Sequence, residues 1–188
     1  MAGFSVPATI GAGAYALDAP PAVLFVSLVV AGAGEGSLLA LAQAHVLRGE
    51  LVGFDRRSWV LATALAAAFA WSLGLLPSSL GDRLTDISLA VLIPASVVLG
   101  FALLLSLGVA QWWVLRRYVR PAALWIPANV IAWLVGLGLS VTLMSVLLTE
   151  ETTTPAAIAI GLGAGLVMGI TVAAVTGGFL VRILRRSR

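Results

Sequence analysis

Five long apolar stretches dominate the chain, separated by short polar breaks. They run near residues 22–47, 58–76, 87–115, 122–148 and 156–184. A helix needs about 20 mostly apolar residues to cross a bilayer, and each stretch meets or nearly meets that length. The pattern predicts an all-α fold: a polytopic transmembrane bundle of five spans in a single integral membrane domain, residues 1–188. Helix punctuation agrees. Pro20 and Pro21 follow Asp18 ahead of the first span, and Pro121 opens the fourth. Thr154 and Pro155 read as N-cap and N1 of the fifth. Pro77 is expected to close the second. Pro94 and Pro127 lie inside apolar runs as expected kink points, where neighbouring groups can satisfy the freed carbonyls.

Composition supports the same class. Of the 188 residues 61% are hydrophobic and 10% charged, and mean hydropathy is +1.09. Soluble domains carry about 25% charged residues, so this chain has too few polar groups to cover its own surface. It has no cysteine and no lysine. That excludes disulfides, thiolate metal sites, cysteine nucleophiles, Schiff-base chemistry and a P-loop lysine. A single histidine excludes a bis-histidine haem within one chain. No cofactor and no metal is expected.

The charges set an orientation. The loop after span one holds Arg48, Arg56 and Arg57, and the loop after span three holds Arg116, Arg117 and Arg120. The C-terminal tail adds Arg182, Arg185, Arg186 and Arg188. The two opposite loops hold only Arg83 among basic residues, with Asp82, Asp86, Glu150 and Glu151. By the positive-inside rule the N-terminus is expected outside and the C-terminus in the cytoplasm. The same asymmetry accounts for the pI near 10.6 without nucleic acid as a partner. Trp59, Trp112, Trp113, Trp125 and Tyr118 fall at the arginine-rich ends and are expected to form half of an aromatic belt. Residues Met1 to Ala19 lack the basic n-region of a secretory signal; they are expected at the outer interface or against the bundle.

Two spans end alike. Ala42-Gln43-Ala44-His45-Val46-Leu47-Arg48 matches Ala110-Gln111-Trp112-Trp113-Val114-Leu115-Arg116 at an offset of 68. Span five closes with Thr176-Gly177-Gly178-Phe179-Leu180-Val181-Arg182, which keeps the arginine and lacks the glutamine. After each of the first two copies come a basic loop, a Trp and a helix: Trp59 with Thr63, and Trp125 with Asn129. The chain reads as two and a half copies of a two-helix unit, an organisation common in transporters and in purely structural bundles. The stretch Gly108 to Arg117, with Trp125 and Ala128-Asn129, resembles small bacterial membrane proteins that carry repeated G-x-x-Q-W-x-x-L-R segments. Thr176 to Val181 is similar to their last half-repeat. The resemblance covers most of residues 36–186 and implies a helical inner-membrane bundle without implying a reaction. The first copy departs from it, with Ala44-His45 where Trp is expected.

Glu35 carries the most informative charge. It lies in Ala33-Gly34-Glu35-Gly36-Ser37, about 20 Å along the helix from Arg48 at 1.5 Å per residue. That is mid-bilayer, where an ionised carboxylate is costly and carboxyl groups are functional by default. Either it carries a proton or cation, or it is a neutral acid bonded to a neighbouring helix. Gln43 and Gln111 are expected to bond across helices or to line a shared polar pocket. His45 is expected to be solvated. Arg48, Arg116 and Arg182 are expected to form a triangle at the cytoplasmic face, holding topology and contacting anionic lipid or an anionic partner. Gly161, Gly165, Gly169, Ala173 and Gly177 make an i, i+4 stripe on span five, and Gly32 and Gly36 a shorter one on span one; both predict close helix packing. Trp71 and Trp133 are expected in the core. No catalytic constellation is recognisable. The expected role is non-enzymatic: an accessory, scaffold or assembly subunit, as a homo-oligomer or in a hetero-complex, with a small proton-coupled transporter using Glu35 as the alternative.

Overall fold

The computed structural model describes residues 20–187. Expectations for Met1 to Ala19, and for Arg188 in the tail, lie outside the described residues. Those described are all-helical, with no strand. Five helices follow in order: α1 (Pro21–Glu50), α2 (Arg56–Leu80), α3 (Leu89–Leu115), α4 (Trp125–Leu147) and α5 (Thr154–Ser187). Each is long and apolar enough to cross a membrane, the fourth together with the 3-10 turn Arg120–Leu124 that leads into it.

Local chemistry explains the boundaries. Pro20 and Pro21 open α1, where a missing N–H leaves no helical acceptor unpaired. The reversal after α1 uses Gly53 at φ 69°, a left-handed conformation open to glycine at no steric cost. Asp55 then caps α2. Its Oδ1 accepts from the backbone N–H groups of Arg57 at 2.9 Å and Ser58 at 3.1 Å, and Ser58 Oγ donates to Oδ2 at 2.5 Å. The Ser58 hydroxyl first, then these backbone donors, hold the Asp55 carboxyl below the usual carboxylate range. Pro77 does not end α2, contrary to expectation. The helix continues to Leu80, and Ser78 and Ser79 each donate a side-chain hydrogen bond to Leu75 O.

Consecutive helices pack as antiparallel neighbours, most extensively α1 on α2 and α4 on α5. One core forms at the arginine-rich end, around Leu47, Leu51, Phe54, Trp59, Val114, Leu115, Val119, Trp125 and Ile183. A smaller cluster of Ala66, Ala67 and Leu107, backed by Trp133, lies further along the bundle. The other end is open: Leu89, Val91, Ile93, Val97, Val98 and Phe101 on α3 are all exposed. In lipid that exposure carries no hydrophobic penalty, so buried contacts concentrate where small and polar residues meet.

The small-residue seam that does pack is on α1. Gly32, Gly36, Ala40 and Ala44 are buried at i, i+4 spacing, and a Cβ on Gly36 would lie 2.5 Å from Ala67 Cβ on α2. On α5 a close contact to α4 is made by residues outside the expected glycine stripe. That contact uses Met168 and Val172 against Gly136, where an added Cβ would sit 3.2 and 3.1 Å away. Ala164, Val172 and Thr176 are the buried α5 residues on this side. Among the described residues nothing lies within 4 Å of a Cβ at Gly161 or Gly177, and Gly165 and Gly169 are half-buried.

Candidate functional site

Four helices converge on one amide side chain. Gln111, near the end of α3, is 1% exposed. Its Nε2 donates to Gln43 Oε1 of α1 at 2.9 Å and to Thr63 Oγ1 of α2 at 3.1 Å. Its Oε1 accepts from Trp125 Nε1 of α4 at 2.8 Å. Gln43 Oε1 also accepts from Trp59 Nε1 at 3.3 Å. Thr63 Oγ1 donates to Trp59 O at 2.8 Å, and Asn129 Nδ2 to Trp125 O at 3.0 Å. The expected interhelical bonding and the expected meeting of the two amides are thus one arrangement. Both polar atoms of Gln111, the Thr63 hydroxyl and the two indole N–H groups are thereby satisfied without water, as an apolar surrounding demands.

The arrangement has internal correspondence. Trp59 donates to Gln43 and Trp125 donates to Gln111, and each Trp carbonyl accepts from a side chain four residues on. Gly108 lets α4 approach α3 at this level, with Asn129 Cβ and Ile126 Cα each 3.2 Å from where a Cβ would stand. These bonds overturn part of the expected aromatic belt. Trp59 and Trp125 are 0% and 2% exposed and belong to the core, where their rings meet at 6.0 Å and a 59° tilt. Trp113 remains half-exposed, as a belt residue should. Tyr118 ties two arginine-bearing loops together, its hydroxyl accepting from Asp55 N at 2.9 Å.

Arg48, Arg116 and Arg182 rim this core. Leu47, Leu115 and Ile183, each adjacent in sequence to Arg48, Arg116 or Arg182, are buried in the same cluster. The arginines are exposed. The Arg116 guanidinium lies 3.4 Å over the Trp113 ring and 5.0 Å from that of Trp112. His45 is exposed, as expected.

Glu35 sits apart from the amide network, at 9% exposure on the face α1 turns to α2. Its polar neighbour is Trp71 of α2, whose indole occupies the place a Cβ on Gly32, about one turn earlier on α1, would take. Glu35 Oε1 is buried and has no hydrogen-bond partner among the described residues. The structure therefore does not bring Glu35 together with Gln43 or Gln111. Trp71, expected in the core, is half-buried and belongs to neither core cluster; its polar neighbour is this carboxyl. No cluster of three or more His, Cys, Asp or Glu side chains with metal-binding geometry occurs among the described residues.

The fold and this buried network describe a multi-span helical membrane protein, with five candidate transmembrane helices. No known protein family, curated protein or solved structure matches the chain.

Replacing Gln111 with leucine strands Trp125 Nε1 in the core and removes two donors to α1 and α2. Interhelical hydrogen bonds in membranes average about 0.6 kcal/mol and reach about 1.7, and a stranded buried donor costs about 1–3 kcal/mol. The expected loss is about 2–3 kcal/mol by these values, read as reduced resistance to unfolding in detergent. Gln43→Leu is expected to cost less, because only Trp59, at the longer 3.3 Å distance, loses its sole bond. A Gln43 variant as damaging as the Gln111 variant would contradict the hierarchy.

Proposed function

We propose that the protein is a non-enzymatic accessory, scaffold or assembly subunit of a larger membrane complex. The carrying observation is that, among the described residues, small residues of α5 are left with open space beside them. This helix packs on α4 and on the turn Arg120–Leu124. At Gly163, Gly177 and Gly178, which fall within about 100° of one another around the helix axis, nothing among the described residues lies within 4 Å of an added Cβ. A flat face of this kind lets another transmembrane helix approach closely, the main route to helix association in lipid. The chain lacks cysteine, so a single Gly177→Cys reports this face directly. Labelling that thiol with a benzophenone maleimide and irradiating native membranes, which links to whatever C–H group lies beside it, is expected to trap a second polypeptide. Gly177→Leu, pointing into open space, is expected to leave the thermal stability of the monomer unchanged while lowering partner recovery about tenfold or more, the loss of about 1.4 kcal/mol. Recovery of monomer alone, or of a link to the chain's own residues 1–19, overturns the proposal.

The organisation is that of a duplicated two-helix unit, two and a half copies long. The paired Trp59–Gln43 and Trp125–Gln111 hydrogen bonds support it, as does the resemblance to small bacterial membrane proteins carrying G-x-x-Q-W-x-x-L-R segments. We place the chain in the inner membrane, N-terminus outside and C-terminus cytoplasmic, with anionic lipid at the basic face. Ten of the eleven arginines lie on that side. Reporter fusions at residue 118 and at the C-terminus are expected to read cytoplasm, and one at residue 82 the outside. A cytoplasmic signal at residue 82 sinks the orientation.

A specific observation favours a second function, a small secondary transporter or proton-coupled carrier. It is the buried Glu35 Oε1 with no hydrogen-bond partner among the described residues.

A further inference from the structure

We propose that the groove between α2 and α3 seats one acyl chain of an anionic phospholipid whose phosphate is held by Arg116. The groove is about 560 Å³ and its walls are almost wholly apolar. Leu65 and Phe69 of α2 line it, with Leu105, Val109 and Trp113 of α3. Its one polar liner, Ser106, donates internally to Leu103 O at 2.7 Å and offers nothing to a polar ligand. Along α3 the lining runs from Ala102 to Trp113, about 16 Å at 1.5 Å per residue. One leaflet of hydrocarbon is about 15 Å deep, so the groove has the reach of a single lipid tail.

Charge complementarity selects the headgroup. Trp113 forms the end of the groove nearest the basic loops, and the Arg116 guanidinium lies 3.4 Å above its ring. Stacking on the indole fixes the guanidinium plane. Among the described residues Arg116 donates no hydrogen bond and pairs with no carboxylate. A planar donor fork with free N–H groups fits a phosphate diester. Arg57, in the first turn of α2, adds a second positive charge at the same end. A transmembrane helix is the poorer occupant, because half-exposed Leu65, Phe69, Val109 and Trp113 keep another backbone at a distance, whereas a flexible chain follows them. The proposal rests on the protein being embedded in a membrane and not on its being an accessory subunit.

Native mass spectrometry of the purified full chain, with phosphatidylglycerol and phosphatidylcholine of identical tails added in equal amounts, tests it. One phosphatidylglycerol is expected to be retained in preference, by about fivefold for one arginine at a lipid phosphate. Arg116→Gln is expected to abolish the preference. Val109→Phe, which fills the groove from an exposed position, is expected to reduce retention of both lipids. Arg185→Gln removes an exposed charge at the same end of the bundle but off the groove, and is expected to leave the preference intact. Equal retention of the two lipids by the unaltered chain overturns the proposal. So does an Arg185→Gln effect as large as that of Arg116→Gln, which would reduce the selectivity to general surface charge. Circular dichroism confirms that each variant is folded. Either failure leaves the α5 cross-linking result untouched, so the two proposals stand or fall separately.

Discussion

Replacing Gly36 with alanine destabilises the bundle by about 1–3 kcal/mol, while the same change at Gly34 stabilises it by about 0.5–1 kcal/mol. The two residues lie in the same helix, two positions apart, so propensity and depth are nearly equal. Packing separates them. At Gly36 the new methyl meets Ala67 Cβ at 2.5 Å and Thr63 O at 3.2 Å. Neither is the far end of a flexible side chain, so α1 and α2 must part. At Gly34 nothing among the described residues lies within 4 Å, and only the lower backbone entropy of alanine acts. Gly32 extends the test. A methyl there collides with the Trp71 indole, which must leave the helix surface and its place beside Glu35. Gly36→Leu is expected to exceed the alanine cost and to separate α1 from α2 outright. Unfolding of the purified chain in mild detergent, followed by tryptophan emission, measures the series. Equal effects at positions 34 and 36 would mean that the seam is not close-packed.

That seam shows which features can be read from residues alone. The five spans were legible because apolar length is a direct demand of the bilayer, and only their ends moved by a few residues. Gly32 and Gly36 were legible as a short packing stripe. The longer α5 stripe looked stronger, and spacing alone could not say that α4 presses on Met168 and Val172, using its own Gly136. Trp59 and Trp125 were misplaced for a related reason. An indole beside a basic loop has the address of a belt residue, and nothing local says that it turns inward. Its partner glutamine lies 16 or 14 residues away on another helix, beyond any helical period. Only the parallel recurrence of Gln and Trp in both copies hinted at the pairing. An amide one turn inside the boundary needs a donor as well as an acceptor, and the indole N–H nearest in the repeat was the available candidate. Asp55 as the α2 cap was not among the expected caps, although Asp-Arg-Arg-Ser opening an apolar run has the form of a helix start. Tyr118 accepting from Asp55 N joins loops 63 residues apart, and no sequence pattern marks it.

Glu35 decides between the two functions, and its variants are expected to differ in kind. Its environment has two parts: an indole from Trp71, and an Oε1 with no hydrogen-bond partner among the described residues. If the carboxyl group only joins α1 to α2, glutamine preserves its size and one acceptor oxygen. Glu35→Gln is then expected to match the unaltered chain in assembly and in thermal stability, within about 0.5 kcal/mol. Glu35→Leu removes every polar contact to Trp71 and is expected to cost about 0.6–1.7 kcal/mol, the range of a hydrogen bond between membrane helices. A proton carrier behaves otherwise. An amide of the same shape cannot release and regain a proton, so Glu35→Gln would abolish flux while leaving the fold intact. The measurement is acidification of vesicles containing the purified chain under an imposed proton gradient, beside detergent melting of the same samples. The accessory-subunit function predicts no flux above empty vesicles and tolerance of glutamine. Flux that glutamine removes without a change in melting would replace it with the carrier. The α1 seam supplies the control: Gly34→Ala leaves Glu35 and Trp71 in place, so any flux must survive it, whereas Gly32→Ala displaces Trp71 and must alter a flux that depends on this pair.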